Sequence, residues 1–312
     1  MSRDGKVDLI CFPGAPNLPI FAALEFGLFS AAGIDVRLET TPSSIYQIEN
    51  LVNGEFQIAG TAFDNVVAYR EGQGAVQLAE PPDLFAFMGA TRIELSFVVA
   101  PNIETYADLR GRSIALDALA TGFAFVLYDM LEKAGLSTDV CELAPVGATP
   151  KRWESVKSGE HAGTLTIEPF TSIAIANGFN VLQTSLETVP SYQGGVFAAG
   201  RAWAVEYPDS VDAFIRGYLA GLDWTLTPDN YEAAKEILLA NMPAIKPGVA
   251  DAVVTKLLNP ATGLTPGGEV DTAGIEMVLS LRSRYATPPK RLSDPAPYLD
   301  LSYLQRAKEV DL

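Results

Sequence analysis

The residues of this 312-residue sequence best suited to chemistry gather in five short turns. Phe12, Gly14 and Asn17 share the first, Tyr46 lies in the second, and Thr61, Asp64 and Asn65 occupy the third. Asp117, Thr121, Gly122 and Phe123 make up the fourth, and Thr166 and Glu168 the fifth. Rings interleaved with carboxylates suit a planar ligand, sandwiched by the aromatics and held through its own donors by the acids. The competing reading is core aromatics with capping acids. An acid three residues after Thr61 is also what a capping box needs, so Asp64 fits both. Glu168 stands between Ile167 and Pro169 at a strand end, where no helix interior explains an acid. Thr121 and Gly122 head a helix and offer a hydroxyl and unhindered N–H groups to an anionic substituent, although capping alone accounts for Thr121. Arg92 is the one Arg or Lys placed near these turns, with a surface role as its alternative.

Catalytic signatures are missing. There is no GxSxG elbow, P-loop, GxGxxG fingerprint, HExxH or EF-hand loop. Cys11 and Cys141 form no CxxC or zinc-ligand spacing, and Cys11 has no nearby base to make it a nucleophile. The single histidine, His161, opens a strand and reads as a packing position. No catalytic residue, metal or cofactor is therefore assigned. With 38 Asp and Glu against 22 Lys and Arg, the net charge of −16 repels phosphate backbones and anionic membranes, so no nucleic-acid partner is expected. At 48% apolar residues the chain is globular, but no uninterrupted apolar run approaches the ~20 residues of a membrane span, and no direct membrane insertion is expected. The opening MSRDGKVDLICFPG lacks a secretory leader. As written the chain would stay cytoplasmic; it would be periplasmic if a leader had been trimmed.

Strand and helix patterns alternate from the start, the rhythm of an α/β sheet. Strands are expected at 8–12, 34–39, 56–59, 84–88 and 95–100. Helices should start near Asn17, Ser44 and Thr61 and stop at Gly33, Gly54 and Gly72. The rhythm restarts near Asp108 with strands at 113–116, 140–146, 164–167, 180–184 and 196–199, and the last third is mostly helical. NGEFQIAGTAF at 53–63 matches SGEHAGTLTIEPF at 158–170, pairing Gly54 with Gly159, Glu55 with Glu160 and Thr61 with Thr166. Each copy follows a Thr-Pro, at Thr41 and Thr149. Two lobes on one plan are implied.

Three segments carry a resemblance: PNLPIFAALEFGLFSAAGIDVRLE, NGEFQIAGTAFDNVVAYREGQG and TYADLRGRSIALDALATGFAFVLYDML. They resemble periplasmic-type solute-binding proteins of the class that captures aliphatic sulfonates, nitrate, taurine and the thiamine pyrimidine precursor for ABC importers. The resemblance implies an α/β, two-lobed type II periplasmic-binding-protein fold, each lobe a mixed sheet flanked by helices, joined by a two-strand hinge near 94–98 and 192–197. Lobe one would comprise 1–95 with 196–312, and lobe two 96–195. It also implies ligand contacts at Gly14 and Asn17, at Thr61, Asp64 and Asn65, and at Thr121 and Gly122, faced by Thr166 and Glu168. A small polar aromatic or heteroaromatic solute is then the expected partner, with an ABC permease as a second partner if the chain is exported. The alternative is a cytoplasmic, cofactor-independent lyase on the same scaffold, such as a decarboxylase, since several relatives with this fold are enzymes. Those using a loop cysteine with histidine and arginine, or a Cys-rich iron motif, are not matched here.

Overall fold

A computed structural model describes residues 5–309. Five strands, β1 (Lys6–Cys11), β2 (Asp35–Thr40), β3 (Ile58–Ala62), β4 (Leu84–Arg92) and, after a long excursion, β10 (Gln193–Gly200), form one sheet. The excursion builds a second sheet from β5 (Ser96–Val99), β6 (Ser113–Leu116), β7 (Glu142–Pro145), β8 (Gly163–Thr166) and β9 (Asn180–Thr184). The orders are β2-β1-β3-β10-β4 and β7-β6-β8-β5-β9. In each sheet the first strand of a βαβ unit lies parallel to two neighbours, β1 to β2 and β3, β6 to β7 and β8. A strand of reversed direction, β10 or β5, then pairs antiparallel with the third. The faint sequence repeat is thus a repeat of topology, with β3 equivalent to β8. Gly54 and Gly159 both take left-handed φ, 83° and 81°, where a side chain would be strained.

The helices are α1 (Leu18–Glu25), α2 (Leu28–Ala31), α3 (Ser44–Val52), α4 (Phe63–Arg70), α5 (Gly122–Lys133), α6 (Thr149–Lys157), α7 (Phe170–Ala176), α8 (Arg201–Glu206), α9 (Pro208–Leu226), α10 (Tyr231–Asn241), α11 (Pro247–Leu257), α12 (Thr272–Tyr285) and α13 (Ser302–Glu309). No helix among the described residues is long and apolar enough to cross a membrane. β1 and β4 are buried on both faces, which is why they read as apolar runs rather than alternating ones. One core joins the first sheet to α1, α2, α9, α10 and α11, with Leu9, Ile20, Phe29, Phe197, Phe214, Leu238 and Val253 among its members. The Phe197 and Tyr218 rings meet edge-on at 4.6 Å. A second core runs from α4 through α12 to α5, so this C-terminal helix packs on both halves of the molecule.

Local differences from the sequence expectations are informative. Gly27, at φ 65°, splits the first expected helix into α1 and α2. Ser43, not Ser44, caps α3, its hydroxyl accepting from the Tyr46 amide at 3.2 Å. Gln47 turns inward instead, donating to the carbonyls of Ile10 and Gly60. The helix expected to open at Thr61 opens at Phe63, because β3 runs on to Ala62, which caps without a side-chain bond. Asp64 is therefore no capping-box acid.

Candidate functional site

In both sheets the parallel strands end toward a common cleft, where helix N-termini expose their amides. After β1 the chain turns through Phe12, Gly14 and Asn17, and the turn is pinned by the Asn17 side-chain amide donating to the Phe12 carbonyl at 2.9 Å. The end of β3 supplies Thr61, whose hydroxyl accepts from the Asn65 side chain at 2.9 Å. From the other lobe come Asp117, just past β6, and the opening of α5. There the Thr121 hydroxyl accepts from the Ala124 amide and donates to the Ala118 carbonyl. Gly122 follows, then Phe123, whose ring tilts against Tyr192 at 6.4 Å. These nine residues line one cleft, whose empty space counted out into open solvent at its mouth is about 880 Å³. Ile20, Ile93, Ile167, Val196 and Phe197 make most of the remaining wall apolar.

The other five residues singled out in the sequence lie elsewhere. Tyr46 is exposed on the first turn of α3. Thr166 is fully buried, sharing a hydrogen bond with Thr171 at 2.8 Å. Arg92 and Glu168 line a smaller adjoining chamber with Lys256. Burial raises the Glu168 carboxyl above its usual range, against the partial opposition of Lys256, whose Nζ is 3.2 Å from Oε1. Asp64 is buried beneath the cleft in an ion pair that spans 218 residues of sequence: Arg282 Nε reaches its Oδ1 at 2.6 Å. Its other oxygen accepts from the Gly122 amide at 2.6 Å, and Arg282 also donates to the Ala120 carbonyl at 2.7 Å. The positive end of α5 is thus already occupied by the protein's own carboxylate. A Cβ at residue 122 would run into Asp64 and the Tyr192 hydroxyl, which leaves glycine as the residue that fits.

Sequence reasoning passed over Arg152, on α6, the one basic side chain among the cleft-lining residues. It is 3% exposed and makes no ion pair among the described residues. It donates to the Gly147 carbonyl at 2.9 Å, the hydroxyls of Thr164 and Thr149 at 2.8 Å, and the Leu165 carbonyl. Four of its five N–H groups are so engaged, all by neutral acceptors. Burial lowers its pKa to about 10, with Asp117 pulling the other way, so the guanidinium stays charged at neutral pH. One N–H of this desolvated cation has no partner among the described residues. The repeated Thr-Pro, ahead of α3 and in the first turn of α6, was the signal that this helix heads into the cleft, but its polar residues gave no hint of which one turns inward. Cys11 also lines the cleft, and burial pushes its thiol up to about 12, leaving it protonated and a poor nucleophile. His161 sits outside the cleft lining, its Nδ1 2.8 Å from the Ser113 hydroxyl. No group of His, Cys, Asp and Glu among the described residues gathers in a way that could hold a metal ion.

The lobes touch around the cleft. The Ala148 amide donates to the Pro42 carbonyl at 3.0 Å, the Ser44 amide to the Asp117 carboxylate at 3.1 Å, and the Ala15 amide to the Glu168 carbonyl at 3.1 Å.

Comparison with solved structures fits this architecture. A protein of Bordetella bronchiseptica RB50 superposes with a TM-score of 0.81 at 22% identity, covering 98% of both chains. The alkanesulfonate-binding protein SsuA of Xanthomonas axonopodis pv. citri, bound to MOPS, gives 0.75 at 16% identity over 96% of this chain and 100% of its own. The periplasmic nitrate-binding protein NrtA of Synechocystis PCC 6803 gives 0.77 at 13% identity over 99% and 89%. At these identities the likeness is one of fold, the two-lobed architecture of periplasmic binding proteins. No curated protein matches the sequence. The sequence profile of the NMT1/THI5-like family matches residues 16–231, well over half of the chain, and the chain belongs to that family.

Proposed function

We propose that this protein binds a small organic anion with a flat apolar body, an aromatic or heteroaromatic carboxylate or sulfonate, in the cleft between its lobes. The observation that carries the reading is Arg152: a buried guanidinium with no ion pair among the described residues, set in a wall that is otherwise mostly rings and aliphatic side chains. The anionic group meets the free N–H of Arg152 near the Thr149 hydroxyl, and the body lies against Phe12, Phe123 and Ile20. Asp117 is the one carboxylate among the cleft-lining residues. In this reading lobe one comprises 1–95 with 196–312 and lobe two 96–195. The role is that of a substrate-binding protein presenting its solute to an ABC permease. The binding roles named for SsuA and NrtA support it.

The test is calorimetry and thermal denaturation with benzoate, benzenesulfonate and nicotinate, alongside benzamide as the neutral control. A solute at about a hundredfold excess over its dissociation constant should stabilise the protein by about 2.7 kcal/mol. Mass spectrometry after long incubation should return it unchanged. Equal response to benzoate and benzamide would remove the anion from the proposal, and consumption of any solute would replace binding with catalysis.

A further inference from the structure

We infer that Asp117 acts as the closing residue of the cleft, capping helix α3 of the opposite lobe, and not chiefly as a contact for the solute. The inference rests on the cleft being the binding site.

The position of the contact carries the argument. β2 and β7 are the sheet edges farthest from the two chain crossings, which leave from β4 and β9. Four interstrand spacings, about 19 Å, separate β2 from β4. The turns that follow β2 and β7 therefore form the outer rim of the jaws, where a hinge rotation moves atoms most. Two hydrogen bonds tie this rim together. One joins backbone to backbone, from the Ala148 amide to the Pro42 carbonyl at 3.0 Å. The other, one strand in from the β7 edge, runs from the Ser44 amide to Asp117 in the turn after β6, at 3.1 Å to one carboxylate oxygen and 3.4 Å to the other.

Ser44 is the first residue of the nine-residue α3, so its amide is one of the four that a helix leaves without an internal partner. The helix's own cap, Ser43, is already committed to the Tyr46 amide. With the lobes together, a carboxylate from the other lobe takes the Ser44 amide, and the helix dipole adds to the bond. With the lobes apart, Ser44 faces water and Asp117 loses its partner. Thr41, Ser44 and Ala148 are each at most 2% exposed, so the rim is shut around this bond.

A charge on a helix N-terminus shifts an equilibrium by roughly 5- to 30-fold in a partly buried setting. Affinity scales with the closed fraction, so Kd should rise by a factor that reaches this size when the closed form is the minority and is smaller when it is well populated. Two variants remove the bond from opposite sides. Asp117→Ala deletes the acceptor. Ser44→Pro deletes the donor while leaving the carboxylate in the cleft, and proline is tolerated at a first helical position after an extended residue such as Ser43. Spin labels at Asn53→Cys and Ser158→Cys, with both native cysteines buried, report the interlobe distance by pulsed electron resonance. Both variants should lengthen that distance in solute-free protein, and both should weaken benzoate, benzenesulfonate and nicotinate by one common factor of at most about 30-fold. An unchanged distance overturns the inference, as does a loss confined to Asp117→Ala that differs from solute to solute. The distance is read without any solute, so failure of the panel to bind would count against the proposed anion and leave the closing contact to be judged on its own.

Discussion

Replacing Arg152 with Met removes the charge and keeps much of the side-chain volume. In the wild type this guanidinium has one N–H left after serving the Gly147 and Leu165 carbonyls and the Thr164 and Thr149 hydroxyls. It can therefore offer an anion a single charge-assisted bond, not a bidentate fork. Such a bond is worth about 1.5–3 kcal/mol, or roughly 10- to 150-fold in Kd. Wild-type protein should accordingly prefer benzoate over benzamide by a factor in that range, and Arg152→Met should reduce the preference to near unity. Arg152→Lys, which keeps the charge but not the planar fork, should fall between. The substitution leaves backbone acceptors unpaired, so each variant is first melted to show a cooperative transition. An Arg152→Met protein that melts cooperatively and still prefers the carboxylate by the wild-type ratio would refute the reasoning.

Three further outcomes are expected. Asp64→Asn leaves Arg282, which is 0% exposed, without its counter-charge, and should cost about 3–5 kcal/mol in urea denaturation; a loss below 1 kcal/mol would show the pair to be dispensable. The carboxyl of Glu168 is raised by burial, so the folded state favours its protonated form. The associated stability is present below the usual carboxylate range and is lost as pH rises through the raised value. Glu168→Gln cannot ionise and should gain on the wild type in melting temperature as pH rises above the usual carboxylate range, whereas a constant gap would mean that Glu168 titrates normally. Cys11, with a thiol near 12 and no exposure to speak of, should resist iodoacetamide at about pH 8 until the protein unfolds, and rapid labelling of the native protein at this residue would contradict its burial.

How much of this was legible beforehand depended on the range of the interactions involved. Gly33, Gly54 and Gly72 were readable as helix stops because the left-handed φ they adopt, 92°, 83° and 65°, is a local demand that glycine meets. Thr121 was readable as a cap for the same reason. The equivalence of β3 and β8 in the two sheets followed from a short repeat around Gly54 and Gly159. Asp64 was misread as a candidate cap or ligand contact because its partner, Arg282, lies in a helix whose sequence says nothing about α4. Arg152 was missed because a helix rich in polar residues can turn any of them inward, and only the packing of α6 on β8 decides which. Arg92, placed near the cleft from its strand position, belongs instead to the neighbouring chamber because β4 continues to that residue before the chain crosses.

The family profile ends at residue 231, yet Arg282 reaches back from α12 to hold Asp64 and the Ala120 carbonyl under the binding floor. A fragment cut after residue 231 would keep every cleft-lining side chain and lose the counterweight beneath them. Its Asp64 carboxylate would press against the Gly122 amide with no cation behind it, and the two halves would part company below the very surface they are meant to share. The final eighty residues are the keel of the molecule, and any minimal version for engineering has to retain them.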